Sequence, residues 1–307
     1  MYKIISDGSC DFTNAEVAAF DIKVIPFYVT FDGKSLKEGV EIQKDEYFNR
    51  LLTDKEFKPT TAQASPQDFI DVYTPYLEQG QDIMVFTVSS KLSGSYNSAT
   101  LAANMMAEEY PNSRIEIVDT QNASLGHGLI LRESIKMRDA GFDLDKNLRI
   151  TREIVKTARL YITLDSLDFL RRGGRVGPTT ALVGGILGLR PILQIEEGAV
   201  TQLDSVRGKA KVLKLMEDGI VEALGDNKAQ VSICVGHILK EDEAEKFHKS
   251  LEASLDMKIA NPITSVGVTV GTHAGPGAMA IAYCKRYESF AAAQTTGSAK
   301  AEKIAAI

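Results

Sequence analysis

A few short segments gather hydroxyls, an imidazole and guanidiniums in patterns that could do chemistry. Ser89-Ser90-Lys91-Leu92-Ser93-Gly94-Ser95-Tyr96 follows a short apolar run and leads into a helical pattern. A turn of that kind presents free backbone N–H groups and hydroxyls beside the positive end of a helix dipole, which suits a carboxylate or phosphate. Ser90 or Ser93 has a plainer use as the cap of that helix. Thr60-Thr61-Ala62-Gln63-Ala64-Ser65-Pro66 is a second hydroxyl-rich stretch. Its Ser65-Pro66 reads as an N-cap with Pro at the first helical position, leaving Thr60, Thr61 and Gln63 in an ordered loop without a capping duty. Gly271-Thr272-His273-Ala274-Gly275-Pro276-Gly277-Ala278 closes a strand expected over 263–271 and displays His273 beside a cavity.

Ser93, Asp119 and His273 occur in the chain order of α/β-hydrolase triads, but Ser93 sits in K-L-S-G-S rather than G-x-S-x-G. An acyl hydrolase or thioesterase built on Ser93 is therefore a rival reading. Gly275, Gly277 and Ala280 fit G-x-G-x-x-A, yet so near the C-terminus that no strand with a ribose-binding acid can follow in a βαβ unit. No Walker A motif and no zinc spacing are present. Leu167-Asp168-Phe169-Leu170-Arg171-Arg172-Gly173-Gly174-Arg175-Val176 concentrates three arginines around a Gly pair. That is an anion site, a docking patch or the dipole-favoured basic end of a helix. The apolar run after it holds Gly184, Gly185 and Gly188, which leave room for a groove that Leu182, Val183, Ile186 and Leu187 would line.

These segments need a scaffold. Lys3 to Ser6, Ile22 to Phe31, Asp82 to Val88 and Arg114 to Val118 read as strands. Helical patterns at Gln43 to Leu52, Pro66 to Leu77, Ser93 to Tyr110 and Ala123 to Ala140 lie between and after them. Such alternation implies a parallel sheet with right-handed crossovers in a three-layer α/β domain. Beyond residue 160 the pattern changes. Pro191 to Val206 reads as a hairpin turning at Glu196-Glu197-Gly198, followed by helices at Lys209 to Leu224 and Glu241 to Leu255 around a strand at Gln230 to His237. The expectation is an α/β domain over 1–162, an α+β domain with a largely antiparallel sheet over 163–290, whose last part packs back on the first, and a tail over 291–307.

Composition narrows the function. With 307 residues the chain can bury a substantial core without disulfides or a structural metal. Lys+Arg is 35 against Asp+Glu 41, an acidic balance that argues against nucleic acid as a partner. Cys10, Cys234 and Cys284 form no C-x-x-C pair and suit a reducing cytosol. No apolar run approaches the ~20 residues of a membrane span. The expectation is a cytoplasmic protein without cofactor or metal.

In order along the chain, the Asp7 turn, T-A-Q-A-S-P, S-S-K-L-S-G-S-Y, Val118-Asp119-Thr120, L-D-F-L-R-R-G-G-R-V, L-R-P-I-L, V-R-G-K-A and G-T-H-A-G-P-G-A resemble the DegV family. That family resembles bacterial fatty-acid-binding proteins that present acyl chains to a fatty acid kinase. The resemblance implies a non-catalytic carrier of a long-chain fatty acid, whose carboxyl a separate kinase phosphorylates for phospholipid synthesis. It implies that Thr61, Ser93 and His273, with Gly94 and Thr272 beside them, surround the carboxyl, and that Arg175 and Arg207 dock the kinase. Gly8 and Ala62 stand where the family usually has Ser, removing two hydroxyls near these turns. A sensor whose acyl occupancy controls another protein is a further alternative.

Overall fold

The computed structural model describes residues 2–175 and 189–290. The chain opens with β1 (Tyr2–Asp7), α1 (Asn14–Ala19) and β2 (Lys23–Ile25). A hairpin of β3 (Tyr28–Phe31) and β4 (Lys34–Lys37) turns on Asp32-Gly33. After α2 (Lys44–Thr53) comes β5 (Thr60–Ala62), which pairs with β3 and sets Thr61 opposite Val29. The segment expected to be a loop is thus a strand, and Thr61 is held by a ladder. Next come α3 (Pro66–Leu77), β6 (Asp82–Thr87), α4 (Ser95–Ala107), β7 (Ile115–Asp119), α5 (Ser124–Asp139) and α6 (Leu144–Thr157).

The second half runs β8 (Arg159–Thr163), α7 (Asp168–Gly173), β9 (Leu189–Glu196), β10 (Ala199–Arg207) and α8 (Lys209–Leu224). It continues with β11 (Val231–His237), α9 (Glu241–Leu255), β12 (Thr264–Ser265), α10 (Val268–Ala274) and β13 (Met279–Lys285). The β9–β10 hairpin turns on Glu197-Gly198, both at positive φ, as its close reversal requires. The strand expected over 263–271 is instead β12 followed by α10. Its β-branched residues favour a strand locally, and tertiary contacts override that preference.

The first sheet has the order β2-β1-β6-β7 and is parallel throughout. β1 is buried along its whole length, as a strand covered on both faces must be. One face packs Ile5, Ile83 and Val85 against Phe69, Tyr73, Ala99 and Ala102 of α3 and α4. The other carries Ile4, Met84 and Phe86 into a core shared with Leu129, Ile150 and Ile154 of α5 and α6. The second sheet, β10-β9-β8-β13-β11-β12, is antiparallel except for β11–β12. Its outer face packs on α8 and α9, and its inner face joins the same core as α5 and α6. A third small sheet has the order β4-β3-β5. The expected boundary at 162/163 falls inside β8, which pairs only within the second sheet, while α5 and α6 serve both sheets.

Candidate binding site

In the parallel sheet the chain runs from β1 to β2 on one side and from β1's neighbour β6 to β7 on the other. The crevice beyond the carboxyl ends of β1 and β6 is therefore a topological switch point, where open α/β sheets place ligands. Asp7, buried at the end of β1, fixes the two turns there. Its carboxylate accepts from Ser9 N at 3.1 Å and Ser9 Oγ at 2.8 Å on its own turn, and from Val88 N at 2.8 Å and Ser95 Oγ at 2.7 Å on the other. Each donor would otherwise be a buried unpaired group, so one carboxylate orders both loops.

Above this crevice the inner face of the second sheet has been left short of volume. Along β13 and the residue before it, Met279 and Ile281 point to α8 and α9, while Ala278, Ala280 and Ala282 point inward. Strand alternation thus sets bulk on one face and methyl groups on the other. Ala280 pairs with Ile162 on β8 and Gly236 on β11. The result is a cavity with about 950 Å³ of empty space, part of it open to solvent. Its walls are largely apolar: Leu160, Ile162, Ile195, Val200, Val266 and Val270 among others. None of these was identified in the sequence as cavity lining. The residues that were, Leu182, Val183, Ile186 and Leu187, lie outside the described residues, as does the expected tail at 291–307.

Thr61, Gln63, Ser93, Arg175 and His273 also line this cavity. His273 Nε2 lies 2.8 Å from Thr61 Oγ1. Burial, and then the Arg175 cation, push the His273 imidazole down to about 4, so the ring is neutral near pH 7. Its Nδ1 is buried with no hydrogen-bond partner among the described residues. The arrangement favours a bare Nδ1 with the proton on Nε2, donating to Thr61 and leaving the Thr61 hydroxyl proton for a ligand. Ser93 does not cap α4: the cap position is Gly94, which makes no side-chain bond. Ser93 Oγ accepts from Ser95 N at 3.2 Å, so its own proton is free to be donated onward. Gly94 lies beneath the Gln63 amide, where a β-carbon would stand 2.5 Å from Nε2.

Two expected residues stand elsewhere or differently. Thr272 donates to the Val268 carbonyl at 2.7 Å, so the 2.6 Å contact with Tyr47 is a bond from the phenol, and the hydroxyl is committed inside the protein. Arg175 is half-buried rather than an open surface group, donating Nε to Leu92 O at 3.2 Å and Nη1 to Gly173 O at 2.6 Å. Arg207 is exposed at the end of β10.

The triad reading fails on the same geometry. His273 is paired with Thr61, while Asp119 accepts from Ser90 Oγ at 2.6 Å and Gln121 N at 2.9 Å. The three groups are not assembled as nucleophile, base and orienting acid. Among the described residues no group of three or more His, Cys, Asp or Glu is placed to hold a metal, and no helix is long and apolar enough to cross a membrane.

Helix α10, which carries His273, has no side-chain cap of its own at Gly267. Distant carboxylates serve instead: Asp11 accepts from Gly267 N at 2.9 Å, and Glu38 from Val268 N and from Thr269 N at 3.1 Å. Both carboxyls are pushed up chiefly by burial, Asp11 to about 6 and Glu38 to about 7. A carboxyl whose folded-state pKa is raised costs stability once pH climbs past its unfolded value. Glu38→Gln should therefore gain on the wild type as pH rises from about 4.5 to about 7, then hold that gain. Denaturant midpoints of both proteins across pH 4.5 to 8 measure it; a difference that stays flat would show that the pair is not strained.

Fold and site together define an α/β protein with an internal apolar cavity and a mouth of hydrogen-bonding groups. A family profile described as "Uncharacterised protein, DegV family" matches residues 1–286. A DegV domain-containing protein of Caldanaerobacter subterraneus is 33% identical over 281 residues, 91% of this chain and 96% of that one. The chain belongs to the DegV family. Among solved structures, a stearic acid-binding protein of Eubacterium ventriosum is similar with a TM-score of 0.89 at 28% identity, covering 94% of this chain and 100% of that one. A fatty-acid-binding DegV family protein of Thermus thermophilus has a TM-score of 0.81 at 28% identity, covering 92% and 99%.

Proposed function

We propose that this protein is a cytoplasmic carrier of a long-chain fatty acid. The acyl chain lies along the inner face of the second sheet, and the carboxyl meets Thr61, Ser93 and His273 at the mouth. A separate fatty acid kinase phosphorylates that carboxyl, and the acyl phosphate enters phospholipid synthesis. Arg175 and Arg207 contribute to docking the kinase. The observation that carries this reading is a largely apolar cavity whose mouth offers hydroxyl donors and a neutral imidazole. The similar structures named as stearic acid-binding and fatty-acid-binding support it. Those donors hold a carboxyl by hydrogen bonds without neutralising it, so it stays reactive toward an external phosphoryl donor.

Burying a chain of roughly fourteen methylenes at about 0.8 kcal/mol each gives on the order of 10 kcal/mol before ordering costs. The ligand should therefore survive purification. Native mass spectrometry of protein purified without added lipid, followed by organic extraction, is expected to release one fatty acid per chain only on denaturation. A protein that comes out empty and takes up no fatty acid when offered one would overturn the reading. Ser93→Ala should lower phosphorylation of the bound acid by a partner kinase; unchanged turnover would remove Ser93 from the head-group site.

A further inference from the structure

Thr61, Arg175 and His273 line a second recess on their other side. This outer recess, about 700 Å³ and part open to solvent, is bounded by Lys58, Pro59, Thr60, Phe169, Arg172, Gly173 and Thr272 as well. The inner cavity and the outer recess therefore share three lining residues, Thr61, Arg175 and His273, so a carboxyl held by them lies next to the recess.

The two sides differ in charge. The outer recess is lined by Lys58, Arg172 and Arg175 and by no Asp or Glu, in a chain whose formal net charge is -6. The nearby acids leave most of that charge available. Glu56 lies 3.3 Å from Lys58, and both are well exposed, so the pair is weak. Arg172 spends one N–H on the Asp168 carbonyl at 3.4 Å and stacks on the Phe169 ring, its guanidinium carbon 4.7 Å from the centroid. Among the described residues no carboxylate pairs with Arg172 or Arg175. Neutral His273 adds no charge, so whatever the recess attracts is attracted by these three cations.

A carboxylate at these shared residues carries one charge and meets the Thr61 hydroxyl, the neutral His273 ring and the inner edge of Arg175. Conversion to an acyl phosphate forms a P–O bond from the carboxylate oxygen to the γ-phosphorus of a nucleoside triphosphate and expels the diphosphate. The product's phosphoryl group lies one bond outside the carboxyl and is doubly charged. Cationic side chains with several N–H donors match such a group, and a planar guanidinium does so with two parallel bonds.

We propose that Lys58 and Arg172, together with the outer edge of Arg175, form a phosphoryl subsite that holds the acyl phosphate once it is made. This deepens the carrier reading and rests on it. The subsite favours product over substrate.

The test uses stearic acid and its stable product analogue stearoyl phosphonate, with wild-type protein and the Lys58→Gln/Arg172→Gln double variant. Neither substituted residue lines the inner cavity. Wild type is expected to bind the phosphonate more tightly than the acid. The double variant should lose about tenfold in phosphonate affinity while stearate affinity changes less than twofold. Raising salt should weaken the phosphonate more than the acid. Inorganic phosphate alone should fail to compete at equal concentration, since it lacks the chain. If stearate binds normally but the variant leaves phosphonate affinity unchanged, or if free phosphate competes equally, the subsite is wrong and the carrier stands. If wild type binds no stearate, both fall.

Discussion

A leucine in place of Ala280 should strip the protein of long-chain fatty acid while leaving it folded and no less stable. Ala280 faces the cavity from the middle of the inner sheet face, between Ile162 and Gly236 on the flanking strands. The added isopropyl group would project into empty space rather than into packed neighbours. Each methylene of ligand that no longer fits forfeits about 0.8 kcal/mol, so displacing four costs about 3 kcal/mol, on the order of a hundredfold in affinity. The empty protein should behave oppositely, because its cavity walls gain contacts they lack. Stearate titration and denaturant unfolding of ligand-free protein measure the two effects. Binding lost together with stability would mean that the position is already packed, and the chain path would have to be sought elsewhere in the cavity.

How much of this was legible depended on where the stabilising contacts lie. α3, α8 and α9 stand where the sequence placed them because their signals are local: Ser65-Pro66 and Asp68 form a capping box, and the apolar stripes of α8 and α9 are continuous. The Glu197-Gly198 reversal was equally local. α6 was overlooked although Asp143 caps it and one face is apolar, so the signal was there. β13 was overlooked as well, and with it the Ala-x-Ala-x-Ala alternation that makes the cavity. α10 is different in kind. Its residues favour a strand, and the carboxylates that hold its first turn come from Asp11 and Glu38, far away in the chain. The site itself came from the family resemblance, since Thr61 and His273 are 212 positions apart and no spacing rule joins them. Arg175 was identified and given to kinase docking; its place between the inner cavity and the outer recess is visible only in the fold.

Gly173 tests whether His273 works from the position it occupies. This glycine ends α7 and lies flat against the imidazole: a β-carbon would intrude on Nδ1 and stand 2.8 Å from Cε1. Elsewhere in a helix, alanine for glycine stabilises by about 1 kcal/mol or less through the unfolded chain. Here it must move the ring, and moving the ring breaks the 2.8 Å bond to Thr61. Gly173→Ala should therefore reduce fatty-acid affinity by about tenfold, the order expected for a mouth that has lost one or two hydrogen bonds. A general disturbance of α7 would do the same, so the decisive comparison is a double-mutant cycle with His273→Ala. If Gly173 acts by giving the imidazole its place, the double variant binds as His273→Ala alone does, because no ring remains to be displaced. If the two losses add, α7 shapes the mouth independently of His273. The cycle also reports on the proton. A ring displaced from Arg175 and rehydrated regains basicity, so in Gly173→Ala the His273 resonance should titrate well above about 4, toward the ordinary histidine range. A ring that still titrates near 4 would have stayed buried, and the lost affinity would then belong to the backbone of α7 rather than to the bond between His273 and Thr61.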